Sequence, residues 1–217
     1  MKSEKLKKLN GFTIIEVSVV FLLILGVTFF ILPMALDDTK QANLISKWKE
    51  VYNDTDYMFS VIKAQDGDEL KNKLSTAPND KIRTEIVIQT IRPYLRIKNN
   101  VQDTNYKQYY MNKQPVNELD RYYVDSFYYT DSGNIVGVKW FTNNCDEETI
   151  CGITIFDING TQKPNTWGKD IFGINILKNN IEPIGKDVAS VMLKNDCSEY
   201  GHGLYCSYYY LIGGQFD

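Results

Sequence analysis

A single long apolar run dominates the hydrophobic pattern at the N-terminal end of the chain. The residues from Val17 to Leu36 carry no charged side chain. As an α-helix, which rises about 1.5 Å per residue, a run of this length extends about 30 Å and matches the hydrocarbon core of a bilayer. The pattern therefore predicts a transmembrane helix over residues 12 to 36.

After residue 36 the apolar positions recur at spacings of three and four, with charged and amide residues between them. This is the period of an amphipathic helix. Neither Gly nor Pro occurs between Leu36 and Gly67, so one continuous helix is predicted from Phe12 to about Ala64, amphipathic over residues 37 to 65. Its apolar positions are Ile45, Trp48, Tyr52, Thr55, Phe59 and Ile62.

Residues 66–217 are predicted to form one exported globular α+β domain. The polar stretch from Gly67 to Pro78 is typical of a connector, and residues 99–114 of a loop. Between them, Asn79 and Asp80 are candidate caps for a second helix that ends near Pro93.

The rest of this domain has strand patterns. Aromatic and β-branched runs on either side of Asp131 to Gly133 predict an antiparallel hairpin over Tyr122 to Phe141. Residues 152–158 and 170–177 predict two more strands, and residues 205–214, "YCSYYYLIGG", a last one. The predicted fold is a long N-terminal helix, transmembrane and then amphipathic, packed on a small antiparallel β-sheet.

Charge on either side of the apolar run predicts its orientation. Four lysines precede the run and Asp37 and Asp38 follow it. The positive-inside tendency then keeps the N-terminus in the cytoplasm and exports the remainder, as in a single-pass protein of the cytoplasmic membrane. The net charge of −3 gives no basis for nucleic-acid binding, which depends on clustered Lys and Arg.

Two kinds of cleaved signal fit this region poorly. No A-x-A-like pair ends the apolar run, where the sequence is Pro33-Met34-Ala35-Leu36. A lipoprotein signal requires a cysteine after the run, and the first cysteine is Cys145.

Glu16 is an acid inside this apolar segment, and a carboxylate placed there needs a partner. Cleavage between Gly11 and Phe12 would give Phe12 a new α-ammonium group, four residues before Glu16. In a bundle of identical helices, the amine of one copy would neutralise the acid of its neighbour and set the axial register between them.

The Lys-rich leader, Gly11, Phe12-Thr13, Glu16 and the apolar helix resemble the N-terminal signal of the type IV pilin superfamily. The resemblance covers about the first 40 residues. It implies a leader over residues 1–11, cleavage after Gly11 by a prepilin peptidase, N-methylation of Phe12 and an assembly role for Glu16. It also implies that the helix loosens between Gly26 and Pro33 in a filament, although a kinked membrane helix explains these two residues equally well.

The sequence therefore favours a structural subunit of a type IV pilus or pilus-like filament. Its partners would be other copies and related pilins, the prepilin peptidase, an inner-membrane assembly platform, and membrane lipid before assembly. After assembly it would lie in an extracytoplasmic filament or at the cell surface. The alternatives are a pseudopilin of a type II secretion or DNA-uptake machine, and a membrane-anchored adhesin or binding domain that does not polymerise.

Four cysteines occur in the exported half, and an even number outside the cytoplasm favours disulfides. Proximity in the sequence favours pairing Cys145 with Cys151 and Cys197 with Cys206. A zinc site is the weaker alternative, because C-x-x-C pairs are absent and His202 is the single histidine.

The segment from 156 to 172 is rich in Asp, Asn and Gly. Asp157, Asn159 and Asp170 are candidate oxygen ligands for calcium, but their spacing differs from the EF-hand pattern. A loop between two strands is the simpler interpretation and needs no cofactor.

Enzyme motifs are scarce in this chain. A single histidine limits acid-base and nucleophilic schemes, and the sequence has no G-x-S-x-G, P-loop or H-E-x-x-H motif. We therefore expect a protein that is not an enzyme.

Overall fold

The computed structural model describes residues 13–101, 106–142, 144–147 and 149–215. Met1–Ala42 and Asn43–Asp217 form two compact units. The helices are α1 (Ile14–Thr76), α2 (Asp80–Leu95), α3 (Ser190–Asp196) and α4 (Cys206–Tyr209). The strands are β1 (Phe127–Tyr129), β2 (Ile135–Trp140), β3 (Gly152–Asp157), β4 (Ile171–Ile176) and β5 (Ile181–Pro183).

The predicted transmembrane helix is wrong. Within the described part of the chain, none of the helices combines the length and the apolar character needed to cross a membrane. This finding overturns the fold predicted for the N-terminal region, a helix that is transmembrane and then amphipathic. It equally overturns the predicted single-pass location in the cytoplasmic membrane.

The end of α1 also differs from the prediction. The helix continues through Gly67 to Thr76 instead of ending near Ala64, so most of the predicted connector is helical. Leu70 and Leu74 pack against the core from this last part of the helix. Their partial burial helps to offset the cost of a glycine inside a helix, which is about 1 kcal/mol.

The α+β class is shown by an antiparallel sheet of five strands in the order β1-β2-β3-β4-β5. The predicted hairpin is present but shorter than expected, with Tyr129 opposite Ile135 and the turn at Gly133 in the left-handed region at φ 82°. Strands β3 and β4 lie within the two runs predicted for them. Strand β5 and helix α3 were not predicted.

The predicted last strand is wrong, because residues 206–209 form the short helix α4 and turns follow it. Cys206 is bonded to Cys197, and the hydroxyl of the fully buried Tyr210 donates to the carbonyl oxygen of Gly168 at 3.1 Å. These long-range contacts favour a compact turn over the extended conformation that the tyrosine run predicts.

The hydrophobic core lies on both faces of the sheet. On one face, Phe156, Phe172 and Ile174 pack with side chains of α1 and α2. On the other face, Ile153 and Ile155 pack with Trp167 and with the loops around it. Every residue of β3 is consequently buried, including the polar Thr154 and Asp157.

Trp48 joins the C-terminal half of α1 to this core. Its ring stacks on Phe172 with 4.8 Å between centroids, and its Nε1 donates to the carbonyl oxygen of Ser207 at 2.8 Å. Trp48 is fully buried, as are Phe172 and Ser207. The bulk and the polar tip of the indole are therefore both accommodated.

Asn79 caps α2, as predicted. Its backbone is extended, and its side-chain oxygen accepts a hydrogen bond from the N–H of Ile82 at 2.9 Å. The helix continues past Pro93 to Leu95, and Arg96 follows in the left-handed conformation.

Candidate functional site

The first turn of α1 holds Glu16 in a reciprocal set of hydrogen bonds with Thr13. The Thr13 N–H and hydroxyl both donate to Glu16 Oε2, at 2.8 and 3.0 Å, and the Glu16 N–H donates to Thr13 Oγ1 at 3.3 Å. This is a capping box, in which the residue before the helix and the third residue after it satisfy each other's N–H groups. Within a single chain, Glu16 is therefore a helix-capping residue.

These hydrogen bonds also affect the charge of Glu16. Hydrogen bonds donated by the Thr13 backbone and hydroxyl hold the pKa of the exposed Glu16 carboxyl below its usual range. A negative charge in the first turn is further favoured by the helix dipole. At neutral pH Glu16 thus presents a carboxylate at the start of α1.

The helix that follows exposes an unusually large apolar surface. Ile14 is 85% exposed and Phe29 is 79% exposed. Singly exposed apolar side chains are normal, but a contiguous set of them marks an interaction surface. The other large exposed apolar residues of this segment are Ile15, Val17, Val19, Val20, Phe21, Leu22, Leu23, Ile24, Leu25, Val27, Ile31 and Leu36.

Two other predictions for the N-terminal region concern the cleavage site and the segment from Gly26 to Pro33. The cleavage site at Gly11 and Phe12, and with it the methylation site at Phe12, lies outside the described residues. Helix α1 runs without a break through Gly26 and Pro33, and a Cβ added at Gly26 would meet nothing within 4 Å. Loosening of this segment in a filament stays a prediction.

Asp157, Asn159 and Asp170, the candidate calcium ligands, lie together at the ends of β3 and β4. The side-chain amide of Asn159 donates to Asp170 Oδ2 at 3.0 Å, and its backbone N–H donates to Asp157 Oδ1 at 3.3 Å. Both aspartates are fully buried. The loop between the strands thus folds back over two carboxyl groups.

Each of these carboxyl groups already accepts hydrogen bonds from other protein groups. Asp170 accepts from the N–H groups of Asn165 and Thr166, at 2.9 and 2.5 Å, and Asp157 Oδ2 accepts from the Tyr106 hydroxyl at 2.8 Å. A cation bound by these carboxyl groups would have to displace the donors, and calcium binding at these residues stays a prediction. Among the described residues, no group of three or more Asp, Glu, His or Cys side chains is placed to hold a metal ion.

Burial and mutual repulsion change the protonation of this pair. Burial, and next the neighbouring Asp170, raise the pKa of Asp157 to about 8. Burial also raises the pKa of Asp170, against the hydrogen bonds from the Thr166 and Asn165 backbone. Asp157 is thus largely protonated at neutral pH, which avoids two buried negative charges side by side.

Both disulfides join the cysteines that proximity in the sequence favours. Cys145 is bonded to Cys151 and Cys197 to Cys206, with 5.1 Å between the Cα atoms of each pair. Cys151 and Cys206 are fully buried. The second bridge fastens α4 to the end of α3, beside the sheet.

Sequence reasoning missed two parts of these sites. The capping box has a visible signal, because Thr13-x-x-Glu16 is the spacing of such a box and precedes an apolar run. Tyr106, whose hydroxyl donates to Asp157, has no such signal in the sequence. It lies in a polar segment without periodicity, more than 50 residues before Asp157.

Comparisons of the chain with protein-family models, with curated proteins and with solved structures found no match.

Proposed function

We propose that this chain is a structural subunit of a type IV pilus or of a pilus-like filament, assembled through its N-terminal helix. The observation that carries the proposal is the set of exposed apolar side chains of α1 between Ile14 and Ile31, together with Leu36. Complete burial of one Leu, Ile or Phe side chain contributes about 1.5 to 3 kcal/mol, so packing these helices against one another is a strong drive to association.

The second support is the position of Glu16 relative to the cleavage site implied by the resemblance. Processing by a prepilin peptidase between Gly11 and Phe12 would place an ammonium group four residues before Glu16. The carboxylate of one copy and the amine of the next would then form an ion pair between apolar helices. Two helices that pack only through apolar side chains can do so at many axial positions. One ion pair between them selects a single axial register.

Two substitutions of Glu16 separate this assembly role from the capping role. Glu16→Gln removes the charge but keeps an oxygen that can accept from the Thr13 N–H, since Gln also serves in a capping box. Glu16→Ala removes both. We expect each variant to lower the fraction of subunits in sheared filaments at least tenfold, with cleavage, checked by intact mass, unchanged.

Normal incorporation of Glu16→Gln together with loss of Glu16→Ala would leave Glu16 as a helix cap only. Normal incorporation of both variants would remove Glu16 from assembly altogether. Processed subunits that never enter a filament, even as wild type, would favour a binding domain that does not polymerise. A short filament confined to a secretion or DNA-uptake machine would favour the pseudopilin alternative.

A further inference from the structure

An apolar cavity lies within the unit formed by residues 43–217, between α1, α2 and one face of the sheet. Its volume is about 420 Å³. Met58, Ile62 and Leu70 line it from α1, and Ile174 and Ile181 line it from the sheet. Protein interiors are packed nearly as tightly as organic crystals, so an apolar space of this size is unusual in a core.

Among the residues that the structure describes, the charged side chains that line the cavity are all basic. They are Lys63, Lys71, Arg83 and Lys178, although the chain as a whole has a net charge of −3. Arg83 is buried and bonded to Asp80 and to the carbonyl oxygens of Leu74 and Ala77. The three lysines remain as the cationic rim.

The rim lysines are accessible to an anion. All three are exposed, and the Nζ of Lys63 donates to the carbonyl oxygen of Asn179 at 2.9 Å. In the described part of the chain, Lys71 and Lys178 make no ion pair with a carboxylate. Polar groups in the rim, among them Asn72 and Ser75, can add hydrogen bonds.

We propose that this cavity binds the acyl chain of a single-chain anionic amphiphile, a fatty acid, with its carboxylate at the rim lysines. The apolar lining removes the alkyl chain from water, and the rim supplies the opposite charge that the headgroup needs. The volume falls in the range of small-molecule pockets, about 300 to 1,000 Å³. This site is separate from the proposed assembly surface of α1.

The test is calorimetric titration of the full chain with laurate below its micelle concentration, with dodecanol as the neutral ligand of equal chain length. We expect one laurate per chain and at least tenfold weaker binding of dodecanol. Leu70→Trp, which fills the cavity with a larger side chain, should abolish binding; its cooperative unfolding is checked first.

Charge variants at exposed positions keep the test independent of any packing defect. Lys71→Glu combined with Lys178→Glu should weaken laurate binding at least tenfold. Lys73→Glu is the matched control, because Lys73 lies two residues from Lys71 on the same helix but does not line the cavity; it should change the affinity less than twofold.

Several outcomes would overturn the proposal. Equal binding of laurate and dodecanol would show a site for neutral amphiphiles. Unchanged binding by Leu70→Trp would place the ligand elsewhere, for instance on the exposed apolar part of α1, which is identical in all variants. Absence of binding together with concentration-dependent dimerisation that Leu70→Trp abolishes would assign the cavity to a second copy of the chain.

Discussion

Among single residues, the buried pair of Asp157 and Asp170 ties the stability of the protein to pH. The unfolded pKa of an aspartate is about 4, and the folded pKa of Asp157 is about 8. Between these values the folded chain holds a proton that the unfolded chain releases. The stabilisation linked to Asp157 is therefore complete below pH 4 and lost as the pH rises through 8.

Asp157→Asn removes this titration while keeping a neutral side chain of the same shape. Between pH 4 and pH 8 the wild type should lose stability that the variant keeps. We therefore expect the variant to become more stable relative to the wild type by about 1 kcal/mol or more over this pH range. Urea unfolding at several pH values measures this difference. The control is Asp125→Asn, at an exposed position, for which the difference from the wild type should not change with pH. If the difference for Asp157→Asn were also independent of pH, the assigned pKa shift of Asp157 would be contradicted.

The residues of this pair were found by composition and not by spacing. The stretch with Asp157, Asn159 and Asp170 is recognisable in the sequence by its content of Asp, Asn and Gly. That composition is compatible both with a calcium site and with a plain loop. The groups that donate hydrogen bonds to these carboxyl groups are the Asn165 and Thr166 backbone and the Tyr106 hydroxyl. A sequence pattern does not specify backbone N–H directions in a loop, so this part of the site required the structure.

At the scale of elements, periodicity predicted best where one face of an element is buried. The spacing of Trp48 and Ile62 indicates the buried side of α1, and the turn at Gly133 indicates the hairpin. Both predictions rest on local geometry. The end of α1 at Thr76 and the helix at Cys206 depend on packing and on a disulfide with distant residues, which no local pattern contains.

Trp48 of α1 is fully buried and stacks on Phe172 of the sheet. We expect Trp48→Ala to lower the free energy of unfolding by about 3 to 5 kcal/mol, because it leaves a cavity beside Phe172. Trp48→Phe keeps the aromatic contact but leaves the buried Ser207 carbonyl oxygen without its indole donor, and should cost about 1 to 3 kcal/mol.

Chemical denaturation followed by circular dichroism measures both variants. The exposed Tyr57→Ala, from the same helix, is the control and should change the free energy by less than about 0.5 kcal/mol. If Trp48→Ala were as mild as Tyr57→Ala, the C-terminal half of α1 would not be fastened to the sheet as described.

At the scale of the whole molecule, the chain divides into units with different surfaces. Asn43–Asp217 holds the hydrophobic core and both disulfides. Met1–Ala42 contains the exposed apolar part of α1 and the Glu16 capping box. A segment with so much exposed apolar surface needs a partner, and the proposed partner is the same segment of other copies.

The proposed assembly depends above all on processing between Gly11 and Phe12, since only that cleavage supplies the ammonium group that would pair with Glu16. The most direct test is intact mass together with N-terminal sequencing of the protein isolated from its own host. We predict a mature chain that begins at Phe12 and carries one added methyl group. A chain that still begins at Met1 would contradict the proposed filament subunit.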